Sequence, residues 1–401
     1  MEEVKKNYKG PMLLLMVNLF IIMVGIGLVI PILPYYVEAF NATGRDLGLL
    51  VASFAFMQFL LAPVWGRLSD RIGRKPLITL GMFGFAAAEF IFAFATDLWM
   101  LYASRILAGT FGSAIMPTAM AYVADVTQEE DRGKGMGLLG AAMALGIVIG
   151  PGIGGWLAEI DLSLPFLVAG LAGTSAAILS VFMLKETLSP EAMEEAKNEE
   201  KMNQFKRMWI ALRSPVGFLL ILVFVMSFAL ANFTSIFGFY ALKRYGYDPA
   251  EVGIIVAITG VIGAVAQGTL VGRLTKRFGD DRVVTGSLLW SAIGFILMVF
   301  AFNYVTVILT VSIFFLGNSI LRPALNSFIS KLAGKQQGTI MGLNNSFLSL
   351  GNAAGPVLAG FLFEVNIHIP YLLGAAVLLG ALAAMKVWTS NKVEQTIENS
   401  S

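Results

Sequence analysis

Long apolar runs broken by short polar segments recur along the whole chain, at about 12–36, 47–65, 77–95, 99–121, 135–157, 164–184, 215–241, 252–272, 283–302, 304–328, 338–363 and 369–388. A helix needs about 20 mostly apolar residues to cross the hydrocarbon core of a bilayer. Each run meets or approaches that length, so the pattern predicts an all-α membrane protein of twelve transmembrane helices. The longest polar stretch, Lys185 to about Ser214, splits the chain near its middle. Residues 1–184 and 215–401 are therefore expected to form two six-helix bundles, the second with a short tail. Residues 185–214 form the linker, whose charged run Glu191–Lys201 reads as solvated chain or an amphipathic helix.

The halves repeat each other. Gly66-Arg-Leu-Ser-Asp-Arg-Ile-Gly-Arg-Lys75 follows the second run, and Gly272-Arg-Leu-Thr-Lys-Arg-Phe-Gly279 follows the eighth, 206 residues later. Gly146, Gly150-Pro151 and Gly155 recur as Gly351, Gly355-Pro356 and Gly360 at an offset of 205. Two matches at nearly one spacing predict pseudo-symmetric bundles, the build of transporters whose substrate site lies between repeats at mid-membrane.

Composition sharpens the exclusions. The chain is 57% hydrophobic and 13% charged, against about 25% charged residues in soluble domains. Of its 28 Lys and Arg, 23 fall in the N-terminal tail, alternate loops, linker and C-terminal tail, while the other loops hold only Arg45, Lys243 and Arg244. Basic residues favour the cytoplasmic face, so both termini are expected in the cytoplasm. There is no cysteine, and His368 is the one histidine. That removes thiolate chemistry and His-based zinc sites, and no metal, cofactor, enzymatic activity or nucleic-acid partner is expected.

Ionisable residues in hydrocarbon cost at least about 2.5–3.5 kcal/mol and mark function. Three fall well inside runs: Glu89 in the third, Arg105 in the fourth and Arg322, before Pro323, in the tenth. Glu89 is the candidate proton carrier, and Arg105 a coupling residue or a tether between helices. After the second run, Asp70 sits among Arg67, Arg71, Arg74 and Lys75. Asp70 is a candidate helix N-cap, where the macrodipole favours negative charge, and Asp125 is the expected partner of Arg71 or Arg74 in a gating cluster with Gly66. In the fifth run, Gly146, Gly150, Pro151 and Gly155 suit close helix packing and a proline bend. Substrate contacts are sought among Asn232, Thr234, Asn318, Ser319, Arg322 and Asn345, with 30 Phe and 19 Met available to line an adaptable cavity.

Together these motifs resemble the major facilitator superfamily, and within it the twelve-helix drug:proton antiporters of bacterial multidrug efflux. Gly66–Lys75 resembles the superfamily's loop motif and Gly146–Gly155 the antiporter motif of the fifth helix. Arg105-Ile-Leu-Ala-Gly109 resembles the fourth-helix motif whose arginine is implicated in proton coupling, and Gly25-x-Gly27-x-x-x-Pro31-x-x-Pro34 the first-helix pattern. The resemblance implies a proton-driven exporter of quinolones, dyes and other lipophilic drugs, working by alternating access as a monomer in the plasma membrane. Its partners would be the lipid bilayer, protons and small lipophilic substrates. One departure stands out: Thr234 and Ser319 occupy positions where those pumps tend to carry acids, which leaves Glu89 as the deep acid. The alternative is a carrier for one sugar, lipid or metabolite.

Overall fold

The structure, a computed structural model, describes residues 9–197, 204–214, 216–333 and 337–398. The two end tails, residues 198–203 with the last part of the charged linker run, and residues 215 and 334–336 lie outside the described residues. Among the described residues there are sixteen helices and no strand. Twelve are long and apolar enough to span a membrane. The first six are Gly10–Val29, Gly44–Ile72, Arg74–Ala93, Leu98–Val126, Asp131–Ile160 and Leu164–Met183. Then come Gly217–Tyr245, Pro249–Thr269, Asp280–Phe300, Tyr304–Ala333, Ile340–Val365 and Ile369–Ser390. They are numbered here as spans one to twelve.

Two of the departures from the apolar pattern have a clear local cause. The first helix stops at Val29 and the chain resumes as a short helix, Leu33–Ala39, because Pro31 cannot donate to the helical ladder and disfavours helix in the residue before it. The second span starts earlier and runs on to Ile72, so Gly66–Ile72 forms its last turns, not a loop. Thr43 and Asp46 form a reciprocal capping box at its start, with Thr43 N–H donating to Asp46 Oδ2 at 2.9 Å. Its end is set by Gly73, whose φ of +104° suits a residue without a Cβ.

The chain divides into two compact units. One holds everything up to Asn203 together with Ala241–Ala257; the other holds Gln204–Tyr240 and Ile258 onward. The junction of spans seven and eight thus belongs by its contacts to the first unit. Glycine is the reason: a Cβ on Gly155 would lie 2.6 Å from the Pro249 carbonyl oxygen, and one on Gly253 2.5 Å from that of Pro151.

Equivalent glycines seal equivalent helix pairs inside each unit. In the first, span five presses on span one: a Cβ on Gly150 would come 2.6 Å from Gly27 Cα, and one on Gly154 2.2 Å from Leu28 O. In the second, a Cβ on Gly355 would come 2.6 Å from Phe228 O in span seven. Without a hydrophobic drive between helices in lipid, such backbone approach supplies the packing. Gly154→Val has no flexible neighbour to displace. It is expected to cost upwards of about 1–3 kcal/mol, read as a fall in the melting temperature of the detergent-purified protein.

Candidate functional site

Glu89 and Arg105 meet. Arg105 Nη2 donates to Glu89 Oε1 at 2.8 Å, joining spans three and four. Glu89 is 1% and Arg105 7% exposed. Ser104 Oγ–H reinforces the junction by donating to the Ala88 carbonyl at 2.7 Å. The pair is incompletely satisfied: Glu89 Oε2 and Arg105 Nε are buried without hydrogen-bond partners. It therefore keeps one spare acceptor and one spare donor.

The pair lies close to one end of the bundle. Ala93 lies four positions beyond Glu89, about 6 Å at 1.5 Å per residue. An aromatic plug closes that end. The Arg105 guanidinium lies 4.6 Å from the Phe92 ring centre, Phe92 stacks on Phe166 at 4.3 Å, and Tyr36 packs on both. The Tyr36 hydroxyl donates to the Phe92 and Ala93 carbonyls at 3.1 and 3.2 Å. Burial pushes this phenol above its ordinary range, so it remains a neutral donor at any physiological pH.

At the opposite end, where the basic segments gather, Arg74 is the hub. Its Nη1 reaches Asp70 Oδ1 at 2.6 Å and Ser69 Oγ at 2.7 Å, and its Nε reaches Asp125 Oδ2 at 3.0 Å. Of the two expected partners for Asp125, the structure selects Arg74, while Arg71 stays exposed. The expected cap is corrected. Asp70 binds a side chain, and Glu186, just past span six, caps the third span. Its two carboxylate oxygens accept from the Arg74 and Lys75 backbone N–H groups at 2.9 and 3.1 Å. Asp70 sits in the last turn of span two, whose carbonyl end repels negative charge, so the cap comes from another part of the chain. A Cβ on Gly66 would lie 3.8 Å from Pro117 of span four, at ordinary contact distance.

The second unit carries this joint with its charges reversed. Gly279, at φ +85°, turns the chain as Gly73 does, and Asp280 then pairs with Lys331 of span ten. Arg74 and Asp280 are 206 residues apart, as are Asp125 and Lys331. Comparison of identities misses the repeat; comparison of positions that carry a charge would have found it. Exchanging the pair (Asp280→Lys with Lys331→Asp) is expected to recover most of the stability that either single change removes. A double-mutant cycle on melting temperature checks this.

Among the described residues, the polar candidates of the second half make no hydrogen bonds to one another. The Asn232 amide donates to the Pro370 carbonyl at 3.2 Å, tying span seven to span twelve. Thr234 bonds back to Ala231 in its own helix. Asn318 is buried with its Nδ2 unpartnered. Ser319 sits where a Cβ on Gly263 of span eight would be 2.5 Å from its Oγ. Asn345 and Arg322 are exposed. Arg322 lies eleven residues from the Ala333 end of its helix, about 16 Å deep. Four of the phenylalanines form core: Phe233, Phe237, Phe295 and Phe314 are fully buried and packed together, with centroids 4.4–5.3 Å apart.

Among the described residues no cluster of His, Asp or Glu could hold a metal. The family model for the Major Facilitator Superfamily matches residues 15–269 and 230–400. The chain belongs to the major facilitator superfamily. It is 37% identical to Multidrug resistance protein 2 of Bacillus subtilis (strain 168), over 98% of both chains. It is 34% identical to Quinolone resistance protein NorA of Staphylococcus aureus, covering 95% of this chain and 97% of that one. Among solved structures, the human organic anion transporter MFSD10 superposes with a TM-score of 0.71 at 21% identity, covering 94% of this chain and 99% of that one. That likeness shows the shared fold.

Proposed function

We propose that this protein is a proton-driven exporter of lipophilic drugs or dyes, and that Glu89 and Arg105 carry the coupling. The observation that supports it is the buried Glu89–Arg105 pair with its spare acceptor and donor. A proton on Glu89 Oε2 would cancel the carboxylate charge and loosen its hold on Arg105. That is a change in buried charge, which can bias one state of a two-state carrier over the other. Relatives whose names record multidrug and quinolone resistance support the substrate class. On this reading the basic segments and both termini lie in the cytoplasm, and the protein works as a monomer in the plasma membrane with no catalytic chemistry. The aromatic-plugged end then faces outward, and Glu89 sits near the side from which protons enter.

Moving one charge through 100 mV releases about 2.3 kcal/mol. At about 1.4 kcal/mol per tenfold, one net charge per cycle sustains roughly a fiftyfold gradient of a neutral substrate. Glu89 and Arg105 neutralise each other, whereas Arg322 has no hydrogen bond or ion pair among the described residues. Neutral or acid-bearing lipophiles therefore suit the second half better than permanent cations. Everted membrane vesicles given a proton gradient are expected to take up a Hoechst-type dye, and a protonophore to abolish uptake by more than tenfold. Absence of uptake by folded protein would turn the reading toward a carrier of a single metabolite, which Arg322, without a hydrogen bond or ion pair among the described residues, favours.

A further inference from the structure

A cleft of about 400 Å³ opens on the outside of the second unit, within the roughly 300–1,000 Å³ range of small-ligand sites. It is walled by spans nine and ten and by the short helix Val271–Phe278 that follows span eight. Its lining is apolar along Phe278, Val283, Trp290, Leu316 and Ile320, and Arg282 stands in it as the one charged group. Phe278 and Trp290 are 44% and 47% exposed, so the cleft is open to the surface. Gly286 also lines it, and a Cβ built there meets nothing within 4 Å.

The charges fit one occupant. Arg282 has no hydrogen bond or ion pair among the described residues. The short helix adds Arg273, Lys276 and Arg277, while Val271, Leu274 and Phe278 recur at three- and four-residue spacing, the stripe of a helix lying in a membrane interface. Of the two acids nearby, Asp280 is engaged by Lys331, leaving Asp281. From Arg282 to Trp290 the cleft descends eight residues, about 12 Å, from the level of the basic segments into the hydrocarbon. A cation at headgroup height above an apolar groove of that depth matches a phosphate joined to an acyl chain.

We propose that this cleft binds an anionic phospholipid of the leaflet on the basic side, with its phosphate at Arg282 and one acyl chain along Gly286 and Trp290. Basic pockets between spans on that side have this chemistry. The site stands apart from the Glu89–Arg105 pair, and its test reads binding without transport.

Native mass spectrometry of the purified full chain, offered equal amounts of phosphatidylglycerol and phosphatidylcholine, gives the test. Wild type is expected to retain phosphatidylglycerol at least fivefold over phosphatidylcholine. Arg282→Gln should bring that ratio near one, and Gly286→Leu, which fills the groove, should lower retention of both lipids at least threefold. If Gly286→Leu fails to fold, Trp290→Ala reads the same wall and should lower retention likewise. No preference in wild type would overturn the site. So would a preference lost with Arg282→Gln but untouched by Gly286→Leu and Trp290→Ala, since the lipid would then lie on the basic surface.

Discussion

Glu89→Gln is expected to abolish protonophore-sensitive dye uptake and to lower the melting temperature of the protein. The stability loss follows from burial. Removing one partner of a buried ion pair leaves the other charge uncompensated and costs about 3–5 kcal/mol, and Arg105 is 7% exposed with Phe92 as its other neighbour. The transport loss follows from proton carriage, because an amide cannot take up a proton in this range. The double substitution Glu89→Gln with Arg105→Gln separates the two. Removing both charges is often close to neutral for stability, so the double variant should regain most of the melting temperature while uptake stays lost. A double variant that regained proton-driven uptake would make the pair a tether and nothing more.

The second large effect is expected at Arg74. Its side chain is 8% exposed and joins spans two, three and four through Ser69, Asp70 and Asp125. Arg74→Ala removes two partly solvated ion pairs at once, so a loss of about 1–2 kcal/mol is expected, read by thermal unfolding in detergent. Asp70→Asn is the informative contrast. Asp70 is 33% exposed, and partly solvated pairs are worth about 1 kcal/mol or less, so folding should survive with only a small shift. If this joint governs the conformational cycle, turnover of Asp70→Asn should nonetheless fall at least tenfold. Turnover that fell only in step with stability would leave the cluster a structural brace.

Much of this architecture is legible in the chain because a bilayer imposes simple rules. Apolar runs mark the twelve spans, the glycines of span five show where backbones touch, and deep charges announce themselves by their cost. The unread parts depend on contacts distant in sequence. Glu186 looked like one more linker charge, yet it reaches back 112 residues to cap the third span. Asp280–Lys331 was hidden because the repeat preserves the place of the pair and reverses its sign. The break at Val29 was masked by apolar residues continuing past Pro31. Phe233, Phe237, Phe295 and Phe314 fill the core of the second unit, and hydrophobicity alone does not separate core phenylalanines from those that could line a cavity.

The central claim is that a proton on Glu89 biases the carrier toward one of its two states, so that substrate binding to the other state drives the proton off, and proton release on substrate binding tests it most directly. Purified protein in weakly buffered detergent solution, acidified until Glu89 is protonated and then mixed with a Hoechst-type dye under a pH indicator, should release up to one proton per bound substrate. Glu89→Gln should still bind dye and release none. Equal proton release from wild type and Glu89→Gln would contradict the account.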